Sequence, residues 1–265
     1  MRQLSRRGLM RGVTAMAATA PLLATAARAS QSLGDGFSHV IDLTHAIDPD
    51  FPTYWGGSGL DIEPVWSVDK DGFALNIWHL WEHTGTHLDA PLHYYADGLS
   101  LEAIPAMDLV TPLVVIDISQ RADHNNDAEV LPKDILEWEV RNGPLPVGCC
   151  VVMRSGWETR IADPLRYRNV DAEGTMHFPG FGLEAARFLL EQRQVTGIGS
   201  DTLSLEYGPS RDFPVHLLWL GAGRWGLENL TKLAGLPEAG ATLVVGAPKV
   251  AGATGGPSRV FALTN

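Results

Sequence analysis

Six short apolar runs, each bounded by turn-forming residues, constrain the fold of this chain more than any other feature. They are Val40–Leu43, Leu113–Ile118, Cys150–Met153, Val195–Ile198, Thr242–Val245 and Val260–Leu263. Runs of that length between Gly and Pro signals read as buried strands. Two helical patterns lie between them. Leu131, Ile135 and Trp138 recur at i, i+4, i+7, with Pro132 suited to a first turn and Asn142-Gly143-Pro144 closing the segment. Leu183, Ala186 and Leu190 recur at i, i+3, i+7 just ahead of the run at 195. From Phe73 to His83 the residues Phe73, Leu75, Ile77, His79, Trp81 and His83 alternate onto one side of an extended chain. No Ser/Gly linker divides the sequence and nothing repeats at a fixed period. The expectation is one α/β domain over residues 30–265, with a mixed β-sheet flanked by helices.

The first 29 residues read differently. They hold five arginines and no acid, whereas the whole chain has 20 Lys+Arg against 31 Asp+Glu. Ser5-Arg6-Arg7-Gly8-Leu9-Met10, the weakly apolar Val13–Ala27 stretch and Ala27-Arg28-Ala29 resemble a bacterial twin-arginine signal with a small-residue cleavage site. The apolar run is shorter than the ~20 residues of a membrane span and contains Pro21. Export to the periplasm, already folded, is the expectation. The remaining chain is strongly acidic, which argues against nucleic acid or an anionic membrane surface as partner and leaves small molecules.

Cys149 and Cys150 are neighbours, and a disulfide between them needs a strained ring. Within Gly148-Cys-Cys-Val-Val-Met153 they read as small core residues of a strand.

The chemistry is concentrated in Glu82-His83-Thr84-Gly85-Thr86-His87-Leu88-Asp89-Ala90-Pro91-Leu92-His93. Imidazole together with carboxylate suits a borderline divalent ion such as Zn²⁺ or Mn²⁺. Thr84, Gly85, Thr86 and Pro91 make a helix here costly. In an extended chain His87 and Asp89 share a side at i, i+2, and Gly85 lets the chain bend so that His83 turns back toward them. Pro91 re-aims the backbone after Asp89, which sets His93 beside the ion as a candidate for proton exchange rather than ligation.

His-Thr-Gly-Thr-His-Leu-Asp-Ala-Pro-Leu-His at 83–93 resembles the HxGTHxDxPxH signature of the cyclase family of metal-dependent hydrolases, a group that includes bacterial kynurenine formamidase and isatin hydrolase. Ile41-Asp42-Leu43-Thr44 is similar to that family's opening strand, and Gly199-Ser200-Asp201-Thr202-Leu203-Ser204 to its Asp-Thr-x-Ser turn. Phe213-Pro214-Val215-His216, with Glu228-Asn229-Leu230 further on, resembles its second ligand pair. The resemblance covers 37–263. It implies a swivelling β/β/α-type fold, His83, His87 and Asp89 as first-metal ligands, and His93 as the proton-transferring histidine. In dinuclear members Asp89 bridges to a second ion held also by His216 and Glu228; in mononuclear members that pair orients water and substrate. One or two ions per chain, Zn or Mn, and a homodimer or homotetramer are implied.

There are departures. The family's Pro-x-x-Pro-Gly appears as Phe51-Pro52-Thr53-Tyr54-Trp55-Gly56-Gly57. Export also separates this chain from kynurenine breakdown, which is cytoplasmic. Phe51, Tyr54, Trp55, Phe73, Trp78 and Trp81 lie near the site in sequence, and Phe51, Trp55 and Trp81 are the candidate substrate-facing aromatics. His79 is expected on the side of His83, in the core or supporting the ligands. Gly255-Gly256-Pro257-Ser258-Arg259 reads as a tight turn closing over a pocket.

No Gly-x-Ser-x-Gly elbow competes as a nucleophile. The expectation is a hydrolase using metal-activated water on an amide carbonyl, an N-formyl arylamide or an isatin-like cyclic amide. Two alternatives are an exported metal- or ligand-binding protein with a degenerate site, and a cyclase working in the synthetic direction. His93 beside an intact ligand trio argues against the first, and export against the second.

Overall fold

The computed structural model describes residues 36–265; the arginine-rich segment 1–29 lies outside the described residues. Thirteen strands follow in chain order: β1 (His39–Asp42), β2 (Leu60–Trp66), β3 (Leu75–Leu80), β4 (His87–Asp89), β5 (Val110–Asp117), β6 (Glu129–Val130), β7 (Cys150–Arg154), β8 (Gly180–Phe181), β9 (Gly197–Ser200), β10 (Trp225–Glu228), β11 (Ala241–Gly246), β12 (Gly255–Pro257) and β13 (Arg259–Thr264). Nine of them form one mixed sheet in the order β1-β13-β11-β5-β7-β9-β10-β4-β12. The central β5, β7, β9 and β10 run parallel and the flanking pairs antiparallel.

Parallel neighbours need crossovers, and helices supply them. Pro132–Asn142 precedes β7, Leu183–Gln192 precedes β9 and Pro214–Gly221 precedes β10. The helix at 132 starts on Pro132, where the missing N–H costs nothing, and the Asp134 carboxylate accepts from the Leu131 N–H at 2.8 Å.

Successive residues of a strand face opposite ways, and the two faces of the sheet have separate cores. Val114, Ile116, Val151 and Met153 pack against Ile135, Trp138, Ala186, Leu189 and Trp219 of the helices. Leu113, Val115, Cys150 and Val152 face the other way, onto Leu43, Leu88, Trp225, Leu227, Leu243 and Val260. Strands from both ends of the sheet order meet in that second core, so the sheet curls over its own face. Both cysteines are fully buried and free.

The fourth apolar run shifts in register. The strand is Gly197–Ser200 rather than 195–198, and a Cβ at Gly197 would lie 2.3 Å from the Trp225 ring. Close approach of Trp225 selects the glycine-bearing stretch over the better strand formers before it. The face buried by Leu183–Gln192 is Ala185, Ala186 and Leu189, rotated from the expected Leu183-Ala186-Leu190 stripe.

The alternating run at 73–83 forms β3, paired antiparallel with β2 in a separate two-stranded ribbon. Its apolar residues are exposed on both sides, Phe73, Leu75 and Ile77 as well as Trp78 on the opposite face from Ile77. His79 is accordingly neither in the core nor near the ligands. It lies 60% exposed on the ribbon, 3.1 Å from Glu63 on β2.

Candidate active site

Three strands build the site. β4 lies between β10 and β12, and its register sets Glu228 of β10 and Pro257 of β12 opposite His87, with Gly226 and Gly255 opposite Asp89. His87 and Asp89, two apart on β4, point the same way and bring Nε2 within 3.3 Å of Oδ1. Cross-strand pairing then sets a Glu228 oxygen 3.4 Å from the same nitrogen. Gly85 has φ +69°, and a Cβ there would lie 2.4 Å from Ile47. This left-handed bend returns His83 to the group, its Nδ1 2.6 Å from Asp89 Oδ1.

The bend is braced from behind. The Thr86 hydroxyl donates to the Asn229 carbonyl at 2.5 Å, the Asn229 amide donates to the Gly85 carbonyl at 3.0 Å, and the Tyr167 hydroxyl donates to Asn229 Oδ1 at 2.9 Å. The ring of His87 donates from Nδ1 to the Gly85 carbonyl at 2.8 Å, which leaves Nε2 for the site. The Thr254 hydroxyl donates to Glu82 at 2.5 Å and accepts from His83 Nε2 at 3.0 Å, leaving Nδ1 of that ring toward Asp89.

His216 enters on the first turn of its helix, after Phe213 at φ +45°, a strained conformation for an aromatic residue. Its Nε2 lies 3.1 Å from Glu228 Oε1 and 3.4 Å from Asp89 Oδ2. Two donor groups result, His83-His87-Asp89 and Asp89-His216-Glu228, with Asp89 in both.

These groups fit divalent ions. Asp89 Oδ2 is buried with no hydrogen-bond partner, and three imidazole nitrogens converge on two buried carboxylates. Such a cluster calls for cations, either protons on the rings or metal between them. Burial opposes the charged ring of His87, yet Asp89 and Glu228 push it up to about 9. The same neighbours, with Glu206, raise His216, again against its burial.

His93 stands apart, as the re-aiming by Pro91 requires. It ends a short 3₁₀ turn and stacks on His83 at 3.8 Å between ring centres. Burial, with the adjacent histidines, pushes it down to about 4. Its neutral form therefore extends well below the usual imidazole range.

A cleft of about 170 Å³ opens over both donor groups, lined also by Tyr54, Trp55, Tyr94, Leu203 and Phe213. Trp55 borders it, and Trp81 meets Trp55 edge-on at 5.9 Å on the outer rim. Phe51 is buried against His45 and lines a neighbouring groove instead. Phe73 and Trp78 are out on the ribbon. The Gly255 segment is an edge strand, not a turn. A Cβ on Gly255 would lie 2.5 Å from His83 Cε1 and 2.6 Å from the Leu88 carbonyl. Gly255→Ala is expected to displace His83 and lower turnover by roughly 10²-fold; kinetics with metal analysis checks this, and wild-type values would show that the close approach is dispensable.

Several site residues escaped the sequence reading. Tyr94 follows His93 directly, Phe213 is named only as the start of the Phe213-Pro214-Val215-His216 segment and not as a cleft residue, and Glu206 hydrogen-bonds His216 from ten positions away with no periodic signal.

The family model described as "Putative cyclase" matches residues 41–207. An isatin hydrolase of Roseibium aggregatum is 32% identical over 246 residues, covering 86% of this chain and 92% of that one. Among solved structures, isatin hydrolase A from Labrenzia aggregata bound to benzyl benzoate is 36% identical, with TM-score 0.79 over 85% of this chain and 93% of that one. An isatin hydrolase bound to the product analogue thioisatinate is 31% identical, with TM-score 0.79 over 85% and 92%.

Proposed function

The chain belongs to the cyclase family, and on that premise we propose that it is a metal-dependent hydrolase that opens an amide C–N bond in a cyclic amide such as an isatin-like ring, or in an N-formyl arylamide. The observation that carries the reading is the buried, unpartnered Asp89 Oδ2 between two imidazole–carboxylate groups. A bound Zn or Mn ion, one or two per chain, supplies Lewis acidity that ionises water near neutrality and stabilises charge developing on the carbonyl oxygen. His83, His87 and Asp89 hold the first ion; Asp89, His216 and Glu228 hold the second. His93, neutral at working pH, takes the proton of the attacking water and returns it to the leaving nitrogen. Tyr54, Trp55, Tyr94 and Phe213 offer a flat aromatic substrate its faces and edges.

The test is a panel of cyclic amides, N-formyl arylamides, lactones and esters against Zn- and Mn-loaded protein. Hydrolysis of an amide, lost on chelation and restored by metal, is expected; a loaded protein that cleaves no amide overturns the reading.

Export by the twin-arginine route to the periplasm is part of the same proposal, supported by the order of charge, apolar stretch and small-residue site in residues 5–29. So is assembly with a second copy of the chain, as a homodimer or homotetramer. Between Trp55 and Trp81 ten large apolar side chains are exposed, and a two-stranded ribbon is marginal alone. An interface of the usual ~800 Å² per partner, laid on this ribbon, would cover such side chains. Sedimentation is expected to give a dimer or larger, dissociating with Trp78→Asp; a monomeric wild type removes this part.

A further inference from the structure

Behind His216 lies a carboxylate that belongs to neither donor group. Glu206 is 1% exposed, and both of its oxygens are turned toward one residue. Oε1 accepts the His216 backbone N–H at 2.6 Å and Oε2 accepts from the His216 ring at Nδ1, also at 2.6 Å; the Ser204 hydroxyl donates to Oε2 at 2.9 Å. Its backbone is fixed as well. Gly180 of β8 lies so close that a Cβ would fall 2.0 Å from the Glu206 carbonyl carbon, and the Phe181 N–H donates to the Leu205 carbonyl at 2.7 Å. The Leu205 N–H donates to Glu228 Oε1 at 3.1 Å. The turn after β9 therefore grips both residues of the second donor pair from outside.

From this geometry we infer that Glu206 is the positioning residue of the second ion: it holds the His216 proton on Nδ1 and so keeps Nε2 free to face Asp89 and Glu228. An imidazole has one ligating lone pair only when its other nitrogen carries the proton. Without an acceptor behind it, His216 is free to carry the proton on Nε2, 3.1 Å from Glu228 and 3.4 Å from Asp89. The ring then closes the space with its own hydrogen bonds, where an ion would otherwise sit. The inference rests on the dinuclear reading of the site.

Glu206→Gln tests it with little change in shape. His216 presents two donors to this side chain, and a glutamine has one acceptor oxygen for them; its NH₂ then faces the remaining nitrogen and favours the proton on Nε2. Zinc titration by calorimetry or chelator competition is expected to show the second ion weakened by roughly 10–100-fold in the variant, with the first unchanged. Nitrogen-resolved NMR of the zinc-loaded wild type is expected to show a hydrogen-bonded proton on His216 Nδ1, lost in Glu206→Gln. Equal second-ion affinity in the two proteins, or a wild-type His216 with its proton on Nε2, overturns the proposal; the latter needs no folded variant. If the wild type saturates at one zinc, the dinuclear reading fails, and the Nδ1 proton still decides whether Glu206 orients the ring.

Discussion

Asp89→Asn is expected to empty both metal positions and abolish turnover. Asp89 is the one residue common to the two donor groups, it is 1% exposed, and its oxygens divide between them: Oδ1 toward His83 and His87, Oδ2 toward His216. The amide keeps the volume and removes the charge that both ions share. Metal analysis after gel filtration should read near zero, against one or two ions per chain in the wild type, with the fold checked by circular dichroism. Full metal content in the variant would defeat the ligand assignment. Uptake has a pH sign as well. Ligation needs the unprotonated ring, and in the metal-free protein His87 holds its proton up to about pH 9. Protons therefore compete with the ion throughout the neutral range, so affinity falls as pH falls, and loading at neutral pH releases protons to the buffer.

His93→Gln is the second large effect, and it separates chemistry from binding. The ring stacks on a ligand without being among the donors, so metal content should stay at the wild-type level. Hydrolysis of an amide with a poor leaving group should fall by roughly 10²–10⁴-fold. An activated aryl ester, whose leaving group departs without a proton, should lose less. Equal losses for both would make His93 a residue that positions substrate or water, and the returning proton would need another source. The wild-type profile adds a check. With His93 pushed down to about 4, and any bound cation acting in the same direction, protonation of this ring should not limit activity above about pH 5.

Much of the site was legible because its first donor group is local. His87 and Asp89 needed only the two-residue period of a strand, and Gly85 between the histidines announced the bend that returns His83. Five of the six apolar runs became strands at their expected places for a similar reason: a short apolar stretch between turn residues has little else to do in a mixed fold. What stayed hidden depends on register. Glu228 is named only through the resemblance of Glu228-Asn229-Leu230 to a ligand pair, since nothing in the spacing of Glu228 or Gly255 says that β10 and β12 flank β4, and without that pairing the glycine under His83 has no visible role. The ribbon misled for a different reason. Alternation gives the side of a strand that is apolar but not what covers it, and Phe73, Leu75 and Ile77 share a face that this chain's own core leaves uncovered.

The placement of β4 between β10 and β12 bears on the order of events during synthesis. β4 is made early, yet its two neighbours come from residues 225–228 and 255–257, near the end of the described chain. A nascent chain that has reached helix Leu183–Gln192 already carries His83, His87 and Asp89 but has no sheet to hold them. Pairing across so long a stretch of chain is slow, because loop closure precedes any gain from the contacts. The ion-binding geometry is therefore a late product of folding, withheld until translation has passed Pro257, and partial chains present loose ligands rather than a formed site.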